Sequence, residues 1–343
     1  MEENHVTEKP INGDNGHKKD KIRLVYILAA SHSGSTLLSM LLNSHPDVCT
    51  VGELKATSLG DPGKYRCSCQ QLIRDCPFWN GISQDMAARG FDFDITNAGT
   101  DIRTGMSPYV RRLLKPLHRS PALEIVRDMA LNLSPVWRRN LPNILARNLA
   151  LIQSVAARTG KKAIIDSSKI GIRLKYLLRI PELDIRVIRT IRDGRGVTLT
   201  YIDPARFADA SDPTLRQGGM GGSRVEERLT MEQAAKEWRR SNEEAEEVLK
   251  LLDQSKHIAN HYESLCRNPK ETLHKIFTFI GVDPEKRTKD FRMVEHHVVG
   301  NGMRLDSCSE IKLDERWRTN LTSADINIFN AVAGDLQHRL GYK

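Results

Sequence analysis

Short, nearly continuous apolar runs alternate with amphipathic stretches along most of the chain. The runs are "IRLVYILA" (22–29), "KKAIIDSS" (161–168), "DIRVIRTIRD" (184–193) and "HIANHYESL" (257–265). Their length and their content of Val and Ile predict strands. Apolar spacing of the helical kind follows each of them, at 35–44, 171–180, 195–202 and 269–280. Strands that are apolar at consecutive positions are buried on both faces, which is the pattern of a parallel sheet. The alternation therefore predicts an α/β fold, a parallel sheet flanked by helices. Ligands of such sheets sit beyond the carboxyl ends of the strands, so chemistry is expected in loops 30–36, 166–170 and 192–200.

Two stretches break the alternation. Residues 54–160 carry helical spacing without strand runs and read as a helical insertion in a single domain spanning 22–343. Residues 203–228 are polar, and "QGGMGGS" (217–223) reads as a mobile loop suited to a lid. Helical spacing resumes at 231–253 and is expected to pack on the sheet edge. Residues 1–21 are polar and read as a disordered tail, without the apolar stretch of a signal peptide. No apolar run approaches the ~20 residues of a membrane span. These features predict a soluble, cytoplasmic protein. No internal repeat is visible.

Composition narrows the partner more than the fold. The chain has 343 residues and a net charge of +9, with a pI near 9.3, which favours anionic ligands. From Arg103 to Arg147 nine Lys or Arg face only Glu124 and Asp128. That stretch is either a solvated helical surface or a basic wall over an anionic substrate. Aromatic residues make up 6% of the chain, too few for basic residues interleaved with stacking rings, so a nucleic-acid-binding protein is disfavoured. Six cysteines are too few for a disulfide scaffold of this length. Cys67, Cys69 and Cys76 cluster in "CSCQQLIRDCPFW", but zinc needs a fourth ligand and none follows at a familiar finger spacing. Cys67 and Cys69 are too close for an unstrained bridge, so structural reduced thiols and no metal are expected.

The chemistry concentrates in two loops. Ser31, His32, Ser33, Gly34, Ser35 and Thr36 lie between a strand and a helix. The first-turn N–H groups of that helix lack internal partners, and with the macrodipole and the hydroxyls they form an anion site. Ordinary N-capping by Ser33 or Ser35 would explain the same letters without a ligand. The second loop, "IRTIRDGRGVTLTYI", ends a strand with Arg192, turns through "DGR", and starts a helix carrying Thr198 and Thr200. Arg192 offers a planar fork for two phosphate oxygens, and a hydroxyl eight residues on can meet the same group. A phosphotransferase using ATP would need G-x-x-x-x-G-K-[ST], and the first loop has neither the leading Gly nor the Lys.

Together the loops resemble the signatures of sulfotransferases that use 3′-phosphoadenosine 5′-phosphosulfate. "SHSGST" is similar to the family's "[RK]SG[ST][ST]" loop for the 5′-phosphosulfate, with His32 where Lys or Arg is usual. "RDGRGVTLT" resembles the turn that holds the 3′-phosphate, which assigns Arg192 and Thr200 to that group. "HPDVCTVGEL" resembles a stretch of the tyrosylprotein and carbohydrate branches, and the letters also resemble bacterial members. "YESLCRNPKETLHKIFTFIGVDP" is similar to the late strand–helix segment, where the resemblance puts Tyr262 against adenine. "ERWRTNLT" resembles the C-terminal Trp motif. The likeness covers about 22–53 and 160–343 and implies a P-loop-like fold.

The resemblance also implies a mechanism: in-line transfer of a sulfuryl group to a hydroxyl or amine, with no metal required. Catalysis is then positioning, charge neutralisation and removal of the acceptor's proton. Glu53 matches the branch's base, at a spacing one residue longer, and Asp166 in "DSSK" is the alternative. Lys169, 23 residues before Arg192, stands where relatives keep a Lys that stabilises the transferring group. "VVGNGMR" (298–304) corresponds to a Gly-rich 3′-phosphate loop ending in Arg304. His32 is the departure, since an imidazole titrates at about pH 6.5 and becomes a cation only if the donor's charge raises that value. The acceptor is expected to be a glycan, a peptide or a small hydroxylated molecule, met on the side of the insertion.

Overall fold

The computed structural model describes residues 21–55, 59, 61, 63–115, 121–207 and 228–343. The expected lid at 217–223 and the expected tail, apart from Lys21, lie outside these. The four expected strands form with a fifth into one sheet: β1 (Ile22–Ala29), β2 (Val48–Thr50), β3 (Ala163–Lys169), β4 (Leu183–Ile191) and β5 (His257–His261). The order is β2-β3-β1-β4-β5 and every pairing is parallel. Alternate residues of the strands feed two cores. Leu24, Tyr26 and Leu28 pack with Ile164 and Val187 on one face, and Val25 and Ile27 pack with Ile165 and Ile188 on the other.

Helices cover both faces, as the apolar strands require. α1 (Ser35–Leu42) follows β1, and α2 (Pro77–Ala88), α3 (Pro108–Leu113), α4 (Pro121–Leu133) and α5 (Pro135–Thr159) fill the insertion. Then come α6 (Gly171–Leu177), α7 (Gly194–Ile202), α8 (Pro204–Phe207), α9 (Met231–Leu249), α10 (Tyr262–Arg267) and α11 (Pro269–Ile280). α12 (Trp317–Asn320) and α13 (Ser323–Arg339) close the chain. Among the described residues no helix is long and apolar enough to cross a membrane.

Two expectations are corrected. The run 257–265 is a strand only to His261. It turns there because the Tyr262 ring packs under Gly34 and the Glu263 carboxylate accepts the Asp193 N–H at 3.0 Å. α9 lies over the sheet face rather than its edge: Ala245, Val248 and Leu249 join the core beneath the central strand β1. Its Trp238 is fully buried and donates to the Arg192 carbonyl at 3.2 Å, so the helix also fixes the end of β4. A capping box of Thr230 and Gln233 sets where α9 starts.

Candidate active site

The first loop builds an anion cradle. Gly34 caps α1 in the left-handed region (φ 81°), no side chain caps the helix, and no acid stands in its first turn. The Ser33 hydroxyl is buried without a hydrogen-bond partner. Capping by Ser33 or Ser35 therefore does not account for these serines, and the helix N-terminus keeps its donors for a ligand. Gly34 is required twice over, since a Cβ there would lie 2.5 Å from a Tyr262 ring carbon in a conformation L residues avoid. His32 is also left-handed (φ 62°), a strain of about 1–2 kcal/mol for a residue with a Cβ. Its ring meets Tyr201 edge-on at 4.8 Å.

Arg192 ties this loop to two others. It donates to the His32 carbonyl at 2.7 Å and to an Asp314 carboxylate oxygen at 2.8 Å, and its guanidinium lies 4.5 Å over the Tyr262 ring. Burial alone would raise the Asp314 pKa, but Arg316 and Arg192 together hold it well below the usual carboxylate range. Asp193 caps α7 by accepting the Arg195 N–H, and the Thr200 hydroxyl donates to the Gly196 carbonyl at 3.2 Å. Gly196 lets the guanidinium lie against the first turn of α7.

Glu53 and Lys169 meet across 116 residues of sequence as a direct ion pair, with Lys55 at 3.6 Å from the second Glu53 oxygen. Burial pushes the Glu53 carboxyl up, yet Lys169 and Lys55 overcome that and hold it below its ordinary value. Burial likewise lowers Lys55. Lys169 is aimed by its backbone. Like His32 it is left-handed (φ 70°), inside a tight turn in which the Ile170 N–H donates to the Ser168 carbonyl at 2.9 Å. Gly52 sets the carboxylate, because a Cβ there would fall 1.9 Å from the Val299 carbonyl oxygen.

One cavity of about 740 Å³ takes in Ser31, His32, Gly34, Ser35, Thr36, Glu53, Lys169, Arg192, Thr200 and Tyr262. Asp166 is not among its walls. It is fully buried, paired with Arg173 at 3.2 Å and accepting the Ser168 and Leu54 N–H groups, so it anchors the turn that carries Lys169 and is closed to an acceptor. Arg304 is also out of the cleft: it is 1% exposed, donates to the Gly300 and Arg66 carbonyls and stacks 4.4 Å over Tyr65. None of the described basic residues from Arg103 to Arg147 lines the cavity either. Arg127 turns inward to Glu124 and Asp128 instead. Besides Lys169 and Arg192, the cations that reach it are Lys55, Arg292, Lys312 and Arg316.

No protein-family model matches the chain. Carbohydrate sulfotransferase 5 of Mus musculus is 22% identical over 343 residues, spanning 93% of this chain and 80% of that protein. Carbohydrate sulfotransferase 2 of Homo sapiens is 23% identical over 384 residues, spanning 98% of this chain and 69% of that protein. The chain is thus similar to carbohydrate sulfotransferases over nearly its whole length. Among solved structures, the sulfotransferase domain from the curacin biosynthetic pathway aligns over 94% of this chain and 98% of its own, at 14% identity and a TM-score of 0.44. Sulfotransferase STF9 from Mycobacterium avium aligns over 94% of this chain and 78% of its own, at 11% identity and a TM-score of 0.45. In this chain the two loops form one continuous wall, joined by the bond from Arg192 to the His32 carbonyl.

Proposed function

We propose that the enzyme transfers a sulfuryl group from 3′-phosphoadenosine 5′-phosphosulfate to a hydroxyl or amine. One observation carries this reading: an uncapped helix N-terminus, with Ser31, His32, Gly34, Ser35 and Thr36 around it, opens on the same cavity as Arg192, Lys169 and Glu53. Ser31 to Thr36 would hold the 5′-phosphosulfate, Arg192 and Thr200 the 3′-phosphate, and Tyr262 the adenine. The bond from sulfur to the 5′-phosphate oxygen breaks as sulfur bonds the acceptor. The acceptor's proton passes to Glu53, and 3′-phosphoadenosine 5′-phosphate leaves. Lys169, a point charge beside Glu53, offsets the negative charge of the transferring group. Among the acceptors considered, the names of the curated relatives favour a carbohydrate hydroxyl.

The test is thermal. 3′-Phosphoadenosine 5′-phosphate is expected to raise Tm, by about 2.7 kcal/mol of stabilisation at a hundredfold excess over Kd, with ATP and ADP giving little. Stabilisation by ATP and Mg²⁺ alone would instead make the protein a phosphotransferase.

His32 gives a second, independent check. Its substitution by Arg is expected to keep the affinity for 3′-phosphoadenosine 5′-phosphate, and its substitution by Ala to weaken it about tenfold, the scale of one hydrogen bond to a charged group. Calorimetry reads both, and equal binding by wild type and His32→Ala would remove His32 from the donor site.

A further inference from the structure

Outside the cavity walls, four side chains with metal-ligand chemistry converge. Cys67, Cys69, Cys76 and His297 place their ligand atoms within 4.8 Å of one another. Three of the edges are resolved: Cys67 Sγ to His297 Nδ1 at 3.8 Å, Cys76 Sγ to the same nitrogen at 3.5 Å, and Cys69 Sγ to Cys76 Sγ at 3.7 Å. A tetrahedral zinc with bonds of about 2.3 Å to sulfur and 2.0 Å to nitrogen has S···S edges of about 3.8 Å and S···N edges of about 3.5 Å. A disulfide needs sulfurs about 2.05 Å apart, and all the cysteines are free. We propose that these four residues form a structural zinc site, Cys₃His and closed to substrate.

The surroundings are built for it. The Cys67–Gln71 turn is held by the Cys67 N–H to the Gln71 carbonyl and by the Gln70 N–H to the Cys67 carbonyl, both 2.9 Å. Gln70 turns the corner in the left-handed region (φ 71°). Cys76 is the N-cap of α2, where the helix dipole favours a thiolate. His297 is fixed on both sides, stacked flat on Phe78 at 4.4 Å and paired through Nε2 with the Glu295 carboxylate at 3.0 Å. A carboxylate on one imidazole nitrogen assigns the proton there and leaves Nδ1 free to ligate, the usual outer support of a zinc histidine. Soft thiolates with one imidazole and no open position select zinc in a structural role. Zinc entering the site releases the three thiol protons.

The site explains how two distant segments stay joined. The Ser68 hydroxyl accepts the Val298 N–H at 2.7 Å, and Val299 then bridges Gly52, the residue before Glu53. Zinc would thus fasten the insertion to the segment that backs the Glu53 carboxylate, with no part in the chemistry itself.

Elemental analysis of the full chain, purified under reducing conditions without chelator, is expected to find about one zinc per chain, lost in both Cys76→Ser and His297→Ala. If those variants do not fold, the wild type loaded with cobalt decides: intense visible bands of a tetrahedral site plus thiolate-to-cobalt charge transfer support the proposal. Chelator should also lower Tm of the wild type, and added zinc should restore it. The proposal is overturned by zinc-free protein whose cysteines all titrate as free thiols, by a disulfide among these cysteines, by zinc retained in both variants, or by cobalt protein without the charge-transfer band.

Discussion

Glu53→Gln is expected to lower kcat by ~10²–10⁴-fold, the scale of a lost general base, while 3′-phosphoadenosine 5′-phosphate binds as tightly as before or more tightly. The two signs follow from one geometry. Glu53 neutralises Lys169 and Lys55 at the cavity floor. Removing its charge strengthens the field that attracts an anionic ligand even as it removes the proton acceptor. The unliganded variant should be less stable, because two largely buried ammonium groups lose their partner, and ligand should raise its Tm by more than it raises that of wild type. A merely structural Glu53 would weaken binding and turnover together, so the split between Kd and kcat is the deciding readout. The pH dependence has a sign as well. The two lysines hold the folded carboxyl below its ordinary value, so Glu53 stays ionised through neutral pH. Its share of stability is present above the unfolded pKa and is lost as pH falls through the folded one. The acid limb of kcat/KM should accordingly lie below about 4.3, the ordinary glutamate value.

What could be read from the letters was local. Loops 31–36 and 192–200 are each one strand–turn–helix, so their chemistry is written contiguously and the fold only has to bring two strand ends side by side. β1 and β4 are neighbours in the sheet, which does that. Long-range features were not legible. β2 has three residues, too few to show a period. The union of Glu53 with Lys169 depends on Gly52 meeting Val299 and on a left-handed Lys169, neither of which has a sequence period. Arg304, after its glycines, has the letters of a phosphate loop, yet its guanidinium serves the carbonyls of Gly300 and Arg66. His297 lies 221 residues beyond Cys76, so no finger spacing could announce it. For the surplus charge of 103–147 the letters left two readings open, and the described cations stay off the cavity, with Arg111, Arg112, Arg138 and Arg139 exposed. Sequence counts cations but does not say which fold inward, as Arg127 does onto Glu124 and Asp128.

Arg192→Ala is expected to weaken binding of 3′-phosphoadenosine 5′-phosphate by about 10²-fold, since two charge-assisted hydrogen bonds at ~1.5–3 kcal/mol each are lost against some recovery by water. Lys at the same position should recover little of this, because a point charge cannot reproduce the fork. The variant also frees the His32 carbonyl and unpairs Asp314 from one of its two arginines, so a fall in Tm of the unliganded protein is part of the expectation. A partner variant separates the two effects. Asp314 holds the Arg192 fork at 2.8 Å. If the 3′-phosphate competes for that fork, Asp314→Asn removes a rival acceptor and a repelling charge, and affinity should rise severalfold. If the pair is instead a clamp that only holds the loop near Tyr262, Asp314→Asn should loosen the loop and weaken binding in the same direction as Arg192→Ala. Opposite signs in calorimetry support the phosphate role of Arg192, and like signs remove it.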